Sequence, residues 1–218
     1  MISPLGENPS LEEDGTVNLL SADISAYSFD RLVVCDRPEI AQFLLANDFH
    51  REHNCAVLSV TGYPTRIFSP LLEMLRQNPN LKVYALHDAS PRGVSLSHTL
   101  RTSPNWFPDP QIEMIDIGIL PRQVFKNPKA IVQNLIRSNT PIEPIPAEVR
   151  QSLSHDEIVW LERGNYVDLE SFPPYKLLQI VAQSLATNRE LQPERESERE
   201  PVAFEIGGGF FAASEDFG

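Results

Sequence analysis

The chain has 218 residues, 41% of them hydrophobic, which is enough for one ordinary core and short for two full domains. Its formal net charge of −12 excludes tight, independent DNA binding, because proteins that bind DNA alone present a basic face whose contacts release counterions. No stretch approaches the ~18 apolar residues of a membrane span, and no basic-then-apolar leader opens the chain. We therefore expect a soluble, cytoplasmic protein with no membrane contact.

The acidic charge is concentrated at the two ends of the chain. The first 30 residues carry six acidic side chains and no Lys or Arg, and residues 188–218 carry eight acidic side chains and three arginines. Both ends are rich in small and polar residues that have little to bury. We predict a flexible acidic arm over 1–28, a folded domain over 29–187, and a disordered linker and tail over 188–218.

The first half of the predicted domain alternates strands and helices. Continuous apolar runs predict four buried strands, at 32–35, 56–60, 81–86 and 112–117. Helical spacing predicts a helix that begins at Asp36 as its N-cap, followed by a helix over 66–77. A third helix over 92–100 begins with Ser90 as its cap, before Pro91. The predicted fold is α/β, with a mainly parallel four-stranded sheet flanked by helices.

The second half of the domain is less regular. Apolar spacing predicts a helix over 130–136. A capping box of Ser154 and Glu157 predicts the start of another helix. A last amphipathic helix is predicted over 171–186, and polar, charged residues follow it.

Candidate functional residues follow the first and third predicted strands. In an open parallel sheet, functional groups gather beyond the carboxyl ends of the strands. Asp36 follows the first strand, and Asp88 and Ser90 follow the third. Two carboxylates at one edge could hold Mg²⁺, which prefers oxygen ligands. The competing interpretation makes Asp36 and Ser90 plain helix caps, while Asp88 ends an apolar strand where a lone carboxylate needs a partner, water or an ion.

The cysteines and histidines favour structural roles. Cys35 and Cys55 both lie in apolar runs, and we interpret them as reduced core thiols of a cytosolic protein rather than catalytic groups. His50 and His53 are three residues apart, but no further Cys or His pair completes a metal set, which favours a solvated helix end. The chain has no nucleophile elbow, P-loop or dinucleotide glycine fingerprint.

Four stretches of the chain resemble, in order and spacing, the toprim domain of the topoisomerase VI A subunit, which the meiotic double-strand-break transesterase shares. They are LVVCD at 32–36, VLSVTGYP at 57–64, VYALHDASPRG at 83–93 and LERGNYVDLE at 161–170. The resemblance covers about residues 31–186, most of the folded part. It implies a toprim-like, Rossmann-like fold.

The resemblance also implies an acidic site, and this chain departs from it. The family pattern has a glutamate at the end of the first strand and two aspartates after the third, and these three acids hold Mg²⁺. The glutamate position falls at Cys35, with Asp36 one step along; the first aspartate is Asp88, and the second falls at Ser90. The candidate residues of this degenerate acidic site are Asp88, Asp36, Ser90, Cys35 and Glu170. Either no cofactor is bound, or Mg²⁺ is held by Asp88 and Asp36.

The favoured function is a non-catalytic toprim-fold module that binds or regulates through protein partners. The family's nucleophilic tyrosine lies in a preceding winged-helix domain, and the 28 residues before the first strand leave no room for it, so we expect no covalent DNA cleavage. The tail either only solubilises the protein or binds a partner through four phenylalanines: Phe204, Phe210, Phe211 and Phe217.

Two other functions remain open. One is a Mg²⁺-dependent nuclease or phosphotransferase that uses Asp88 and Asp36, with Glu170 or Asp168 as a third ligand. The other is a subunit of a DNA-processing or defence complex, in which a partner supplies the basic surface and the missing chemistry. That hypothesis rests on analogy of fold.

Overall fold

The structure, a computed structural model, describes residues 29–107, 111–127 and 130–190. The predicted arm over 1–28 and the four phenylalanines of the tail lie outside the described residues. No helix within the described ranges is long and apolar enough to cross a membrane.

A four-stranded sheet forms the centre of the domain. Its strands are β1 (Arg31–Cys35), β2 (Ala56–Ser59), β3 (Lys82–Leu86) and β4 (Glu113–Asp116). The strand order is β2-β1-β3-β4, and every neighbouring pair is parallel. Cys35 pairs with Leu86, so the two central strands end side by side. The predicted parallel α/β sheet is confirmed.

Helices cover both faces of this sheet. The α-helices are α1 (Pro38–Ala46), α2 (Phe49–Glu52), α3 (Phe68–Arg76), α4 (Leu96–Thr102), α5 (Pro121–Phe125), α6 (Ala147–Ser152), α7 (His155–Glu162) and α8 (Pro174–Glu190). Short 3₁₀ turns lie at Gly93–Ser95, Leu135–Ser138 and Leu169–Ser171.

The alternation of side chains along β1 divides the core into two layers. Val33 and Cys35 pack in a layer with residues of α1 and α8, and Leu32 and Val34 pack in a layer with residues of α3 and α4. Successive side chains of a strand point to opposite faces, so a strand covered on both sides must be apolar throughout. This is why the strands appear as continuous apolar runs in the sequence.

The predicted helix over 130–136 is wrong. The structure has a short strand there, β5 (Gln133–Asn134), which pairs antiparallel with β6 (Asn165–Tyr166). The backbone N–H of Leu135 donates to the carbonyl oxygen of Gly164 at 2.7 Å. Pairing with a segment about thirty residues later satisfies the backbone groups, and this tertiary pairing overrides the local helical spacing.

The three predicted helix caps differ in their outcome. The capping box of Ser154 and Glu157 is confirmed at the start of α7. The predicted cap at Asp36 is wrong, because α1 begins at Pro38 and Arg37 is its N-cap residue. Ser90 does accept a hydrogen bond from the Gly93 N–H at 2.9 Å, but this bond opens a 3₁₀ turn rather than α4 itself.

We predict that Leu44→Ala lowers the free energy of unfolding by about 2–5 kcal/mol, because it deletes a fully buried side chain of α1 and leaves a cavity. Gln42→Ala, at an exposed position of the same helix, is the matched control and should stay within about 0.5 kcal/mol. Urea denaturation followed by circular dichroism measures both. Equal effects of the two substitutions would contradict the packing described here.

Candidate functional site

A single β-bridge brings the late part of the chain to the carboxyl edge of the sheet. Ala89 and Val167 exchange backbone hydrogen bonds of 3.0 and 3.1 Å. Two residues further on, the backbone N–H of Leu169 donates to Oδ1 of Asp88 at 2.7 Å. These contacts fix residues 168–170 directly beside the end of β3.

Asp36 and Asp88 lie together in the interior, at the ends of the two central strands. The backbone N–H of Asp88 donates to Oδ2 of Asp36 at 3.0 Å, which is the bond that replaces the predicted capping role of Asp36. Their residues are only 2% and 4% exposed. Oδ1 of Asp36 is buried and has no hydrogen-bond partner among the described residues.

The guanidinium of Arg37 contacts three carboxylates at the same edge of the sheet. Its Nη1 lies 3.4 Å from Oδ2 of Asp88 and 3.0 Å from Oδ1 of Asp168. Its Nη2 donates to Oε1 of Glu170 at 2.9 Å. We call Asp36, Asp88, Asp168 and Glu170 the acidic cluster. The acidic cluster therefore contains a cation from the protein itself, the guanidinium of Arg37, which lies in the loop between β1 and α1.

Burial shifts the two aspartates at the strand ends towards their protonated forms. Burial raises the pKa of Asp88 to about 7; the nearby Asp36 adds to this rise, while the Leu169 N–H and Arg37 oppose it. Burial also raises the pKa of Asp36. Burial alone would lower the pKa of Arg37, but the surrounding carboxylates raise it, so the guanidinium stays charged.

The cluster as arranged does not fit the Mg²⁺ that the family resemblance implies. The oxygens of Asp88, Asp168 and Glu170 that face the centre already accept from Arg37. Across the described residues, no group of three His, Cys, Asp or Glu side chains is arranged to hold a metal ion. A divalent ion would require the guanidinium to leave, and guanidinium, with no acceptor or lone pair to offer, cannot itself be a ligand.

Behind the cluster lies a second cation, the fully buried His87. Its Nδ1 is 2.8 Å from the carbonyl oxygen of Asp88, and its Nε2 is 2.9 Å from Oδ1 of Asp116. Both ring nitrogens face oxygen acceptors, which requires an imidazolium if Asp116 is ionised. Burial would lower the pKa of His87, but Asp116 outweighs it and the pKa rises to about 9.

Glycines make room for these contacts at two points. A Cβ on Gly118 would lie 2.3 Å from the ring of His87, and a Cβ on Gly93 would lie 2.1 Å from the carbonyl oxygen of Asp88. The Gly118 N–H also donates to Oδ1 of Asp116 at 2.9 Å. Larger residues at these two positions would push apart the backbone and side chains that form the site.

The remaining predicted site residues occupy different places. Cys35 is buried in the core between the sheet and α1, and burial raises the pKa of its thiol well above the ordinary value. Ser90 lines the open side of the site, and its hydroxyl is bound to the Gly93 N–H. Glu170 reaches Arg37 from the protein surface. The structure thus brings Asp36, Asp88 and Glu170 together and leaves Cys35 in the core.

A cavity of about 410 Å³ opens above the acidic cluster. Its walls come from the two strand ends, residues 90–92, Tyr166 of β6, and the segment after β5, which contributes Leu135, Thr140, Pro141 and Glu143. Tyr166 of the β5–β6 ribbon donates to Gln133, and the side-chain amide of Gln133 donates to Oδ2 of Asp168. The ribbon therefore closes one side of the site and holds one of its carboxylates.

The sequence did not reveal Arg37 or Gln133 as site residues. Arg37 directly follows the candidate Asp36, and a basic residue beside an acidic strand end was the available signal. It could not decide the matter, because the partner Asp168 lies 131 positions away. Gln133 lies within the stretch predicted as a helix, where its pairing partner could not be identified.

Comparison with known proteins agrees with the parallel α/β fold. The family model that describes the Toprim domain of Spo11 and of the topoisomerase 6 A subunit matches residues 32–106. This part of the chain matches a toprim domain of the topoisomerase VI A/Spo11 type. The toprim match includes Asp36, Arg37 and Asp88 and ends before the late segment that carries Asp168.

The meiotic recombination protein SPO11-4 of Oryza sativa subsp. japonica is similar to part of this chain. The two are 30% identical over 77 residues, which is 35% of this chain. The matched part spans only 16% of the length of that relative. The similarity therefore covers about a third of this chain and about a sixth of the relative.

We predict that stability falls as the pH rises from about 6.5 to about 9, by on the order of 3 kcal/mol. In this interval the folded state keeps the proton of His87, whose pKa is about 9, while the unfolded chain has lost it near pH 6.5. The folded state binds more protons, so raising the pH favours unfolding. Asp88 acts with the same sign, but its pKa of about 7 ends its effect near neutrality.

Urea denaturation at several pH values between about 7 and 8.5, below the range in which the thiols of Cys35 and Cys55 contribute, measures this slope in wild type and in Asp116→Asn. The substitution removes the charge that holds the proton on His87, so the slope should flatten. His98→Asn, on α4 and outside the site, is the matched control and should keep the wild-type slope. A steep slope that persists in Asp116→Asn would show that another group is titrating.

Proposed function

We propose that this toprim domain is a non-catalytic module that binds or regulates through a protein partner. The observation that carries the proposal is the guanidinium of Arg37, which is bound to Asp88, Asp168 and Glu170 in the middle of the acidic cluster. Metal-assisted phosphoryl transfer needs a divalent cation with open positions for substrate and nucleophile. A guanidinium provides charge and hydrogen-bond donors, but no open coordination position.

The residues at the family's acidic positions support the same conclusion. Cys35 stands where the resemblance places a glutamate, and its thiol is buried with a raised pKa. Ser90 stands where it places the second aspartate, and its hydroxyl accepts from the Gly93 N–H. Neither offers an anionic ligand to the cavity.

The partner we propose is a protein with an apolar groove and basic surroundings. Four phenylalanines among glycines and acids in residues 201–218 would supply the anchors, and they carry no core pattern of their own. A role as subunit of a DNA-processing or defence complex fits the Spo11-type toprim domain and the net charge of −12, since the partner would then supply the basic surface. The free, buried thiols of Cys35 and Cys55 support a reducing location, the cytoplasm.

A second candidate function is a Mg²⁺-dependent nuclease or phosphotransferase. One observation favours it: the Asp88 N–H donates to the Asp36 carboxylate, and Asp168 and Glu170, either of which could be the third ligand, contact the same guanidinium as Asp88. This function would need Arg37 to move out of the cluster when the ion binds.

We predict that replacing the four tail phenylalanines by alanine removes a specific co-purifying protein without changing the melting temperature of the domain. The matched control keeps residues 201–218 in scrambled order with the same composition. Affinity purification from native lysate, quantified by mass spectrometry, compares the three chains. Partner lists that are identical for all three would exclude the tail as a docking peptide.

We also predict that the purified full chain does not nick supercoiled plasmid DNA in Mg²⁺ or Mn²⁺ above the level of buffer. The Asp88→Ala variant, purified in the same way, measures contaminating nuclease. Nicking by wild type that Asp88→Ala abolishes would establish the second candidate and refute the non-catalytic proposal.

A further inference from the structure

The geometry of the acidic cluster leads to an inference about Arg37 that rests on the proposed function. We propose that Arg37 is a built-in replacement for a divalent cation, and that the cluster becomes a divalent-cation site when its guanidinium is removed. The ligands of that site would be the carboxylates of Asp36, Asp88, Asp168 and Glu170. The wild-type protein then needs no metal ion to hold its site together.

The position of the guanidinium is the first support. Two of its nitrogens lie within 3.4 Å of oxygens from three different carboxylates. Two of those carboxylates, Asp168 and Glu170, flank the Leu169 N–H that binds Asp88. One cation thus connects the loop after β1, the loop after β3 and the late segment. A metal ion coordinated by several ligands has the same role.

The second, independent support is the free oxygen of Asp36. Its Oδ1 is buried, accepts no hydrogen bond from the described residues, and belongs to a side chain that lines the cavity above the cluster. An unpaired buried carboxylate oxygen is unfavourable, because it has lost water without gaining a donor or an ion. Arg37 therefore satisfies three of the four carboxylates and leaves one ligand position unused.

Electrostatics point the same way. One guanidinium carries a single positive charge, and the carboxylates of Asp88, Asp168 and Glu170 all contact it. A divalent ion would bring twice the charge and would bind Oδ1 of Asp36 directly. Glu170 is half exposed and free to adjust, so its carboxylate can follow the shorter distances that an ion requires.

The competing interpretation is an ordinary salt-bridge network with no capacity for ions. In that case, removal of Arg37 leaves buried, unpaired carboxylates and only destabilises the fold. The two interpretations differ in what a divalent ion does to the variant. Under our proposal the ion takes the vacated place and restores stability.

Calorimetric titration and thermal unfolding in Mn²⁺ test the proposal on four full-length chains: wild type, Arg37→Ala, Arg37→Ala with Asp88→Asn, and Arg92→Ala. Arg92 lines the same cavity and is exposed, so its substitution removes an equal charge without vacating the centre of the cluster. We expect Arg37→Ala to bind Mn²⁺ at least about tenfold more tightly than wild type and Arg92→Ala. The added Asp88→Asn should abolish that gain.

Thermal unfolding provides the second measurement. Arg37→Ala should melt at a lower temperature than wild type, Mn²⁺ should raise its melting temperature, and a chelator should reverse the rise. Wild type should respond to neither. If Arg37→Ala is unfolded without metal, folding on addition of Mn²⁺, seen by circular dichroism, supports the proposal.

Three results would overturn it. They are an Arg37→Ala protein that Mn²⁺ neither binds nor stabilises, an equal gain in Arg92→Ala, and Mn²⁺ binding by wild type as tight as that by Arg37→Ala. Each result tests whether Arg37 takes the place of an ion. None of them changes the outcome of the plasmid-nicking assay, which tests the proposed function. A non-catalytic protein whose Arg37→Ala variant ignores Mn²⁺ would therefore keep the proposed function and lose this inference.

Discussion

The architecture of the site depends on the carboxylate of Asp88, whose two oxygens need hydrogen-bond donors from two different segments of the chain. Its Oδ1 accepts from the Leu169 N–H, and its Oδ2 faces the guanidinium of Arg37. The residue is almost fully buried, so these two contacts replace its lost hydration. The sheet places Asp88 at the end of β3, and the late segment and the loop after β1 must both close on it.

Two cations, His87 and Arg37, lie beside the acidic side chains at the ends of the strands. His87 is fully enclosed, with each ring nitrogen directed at an oxygen, whereas Arg37 keeps about a third of its side chain exposed, at 30%. His87 stabilises the negative charge of the carboxylates from beneath the strand ends, and Arg37 stabilises it from the cavity side. Buried ion pairs often contribute little to stability in net terms, but removal of one partner is costly. The cluster is therefore best understood as a set whose members depend on each other.

The sequence was sufficient for the sheet and insufficient for the site. Strands such as β1 and β3 could be predicted because a position covered on both faces must be apolar, which is a local property of the chain. Asp36 could be located but its role could not, since the sequence offers a helix cap next to it and the structure uses a bond to the neighbouring strand instead. Gln133 and Arg37 act through partners more than thirty and more than one hundred residues away, and no local spacing encodes such pairs.

The long separation between the partners of Arg37 has a consequence for the order of folding. The contact with Asp168 closes a loop of 131 residues, and the entropic cost of such closure is high unless the sheet has already brought the ends together. We therefore expect the contacts of Arg37 with the late segment to form after the folding barrier has been crossed. Contacts that form this late slow the unfolding of the native state and have little effect on the folding rate.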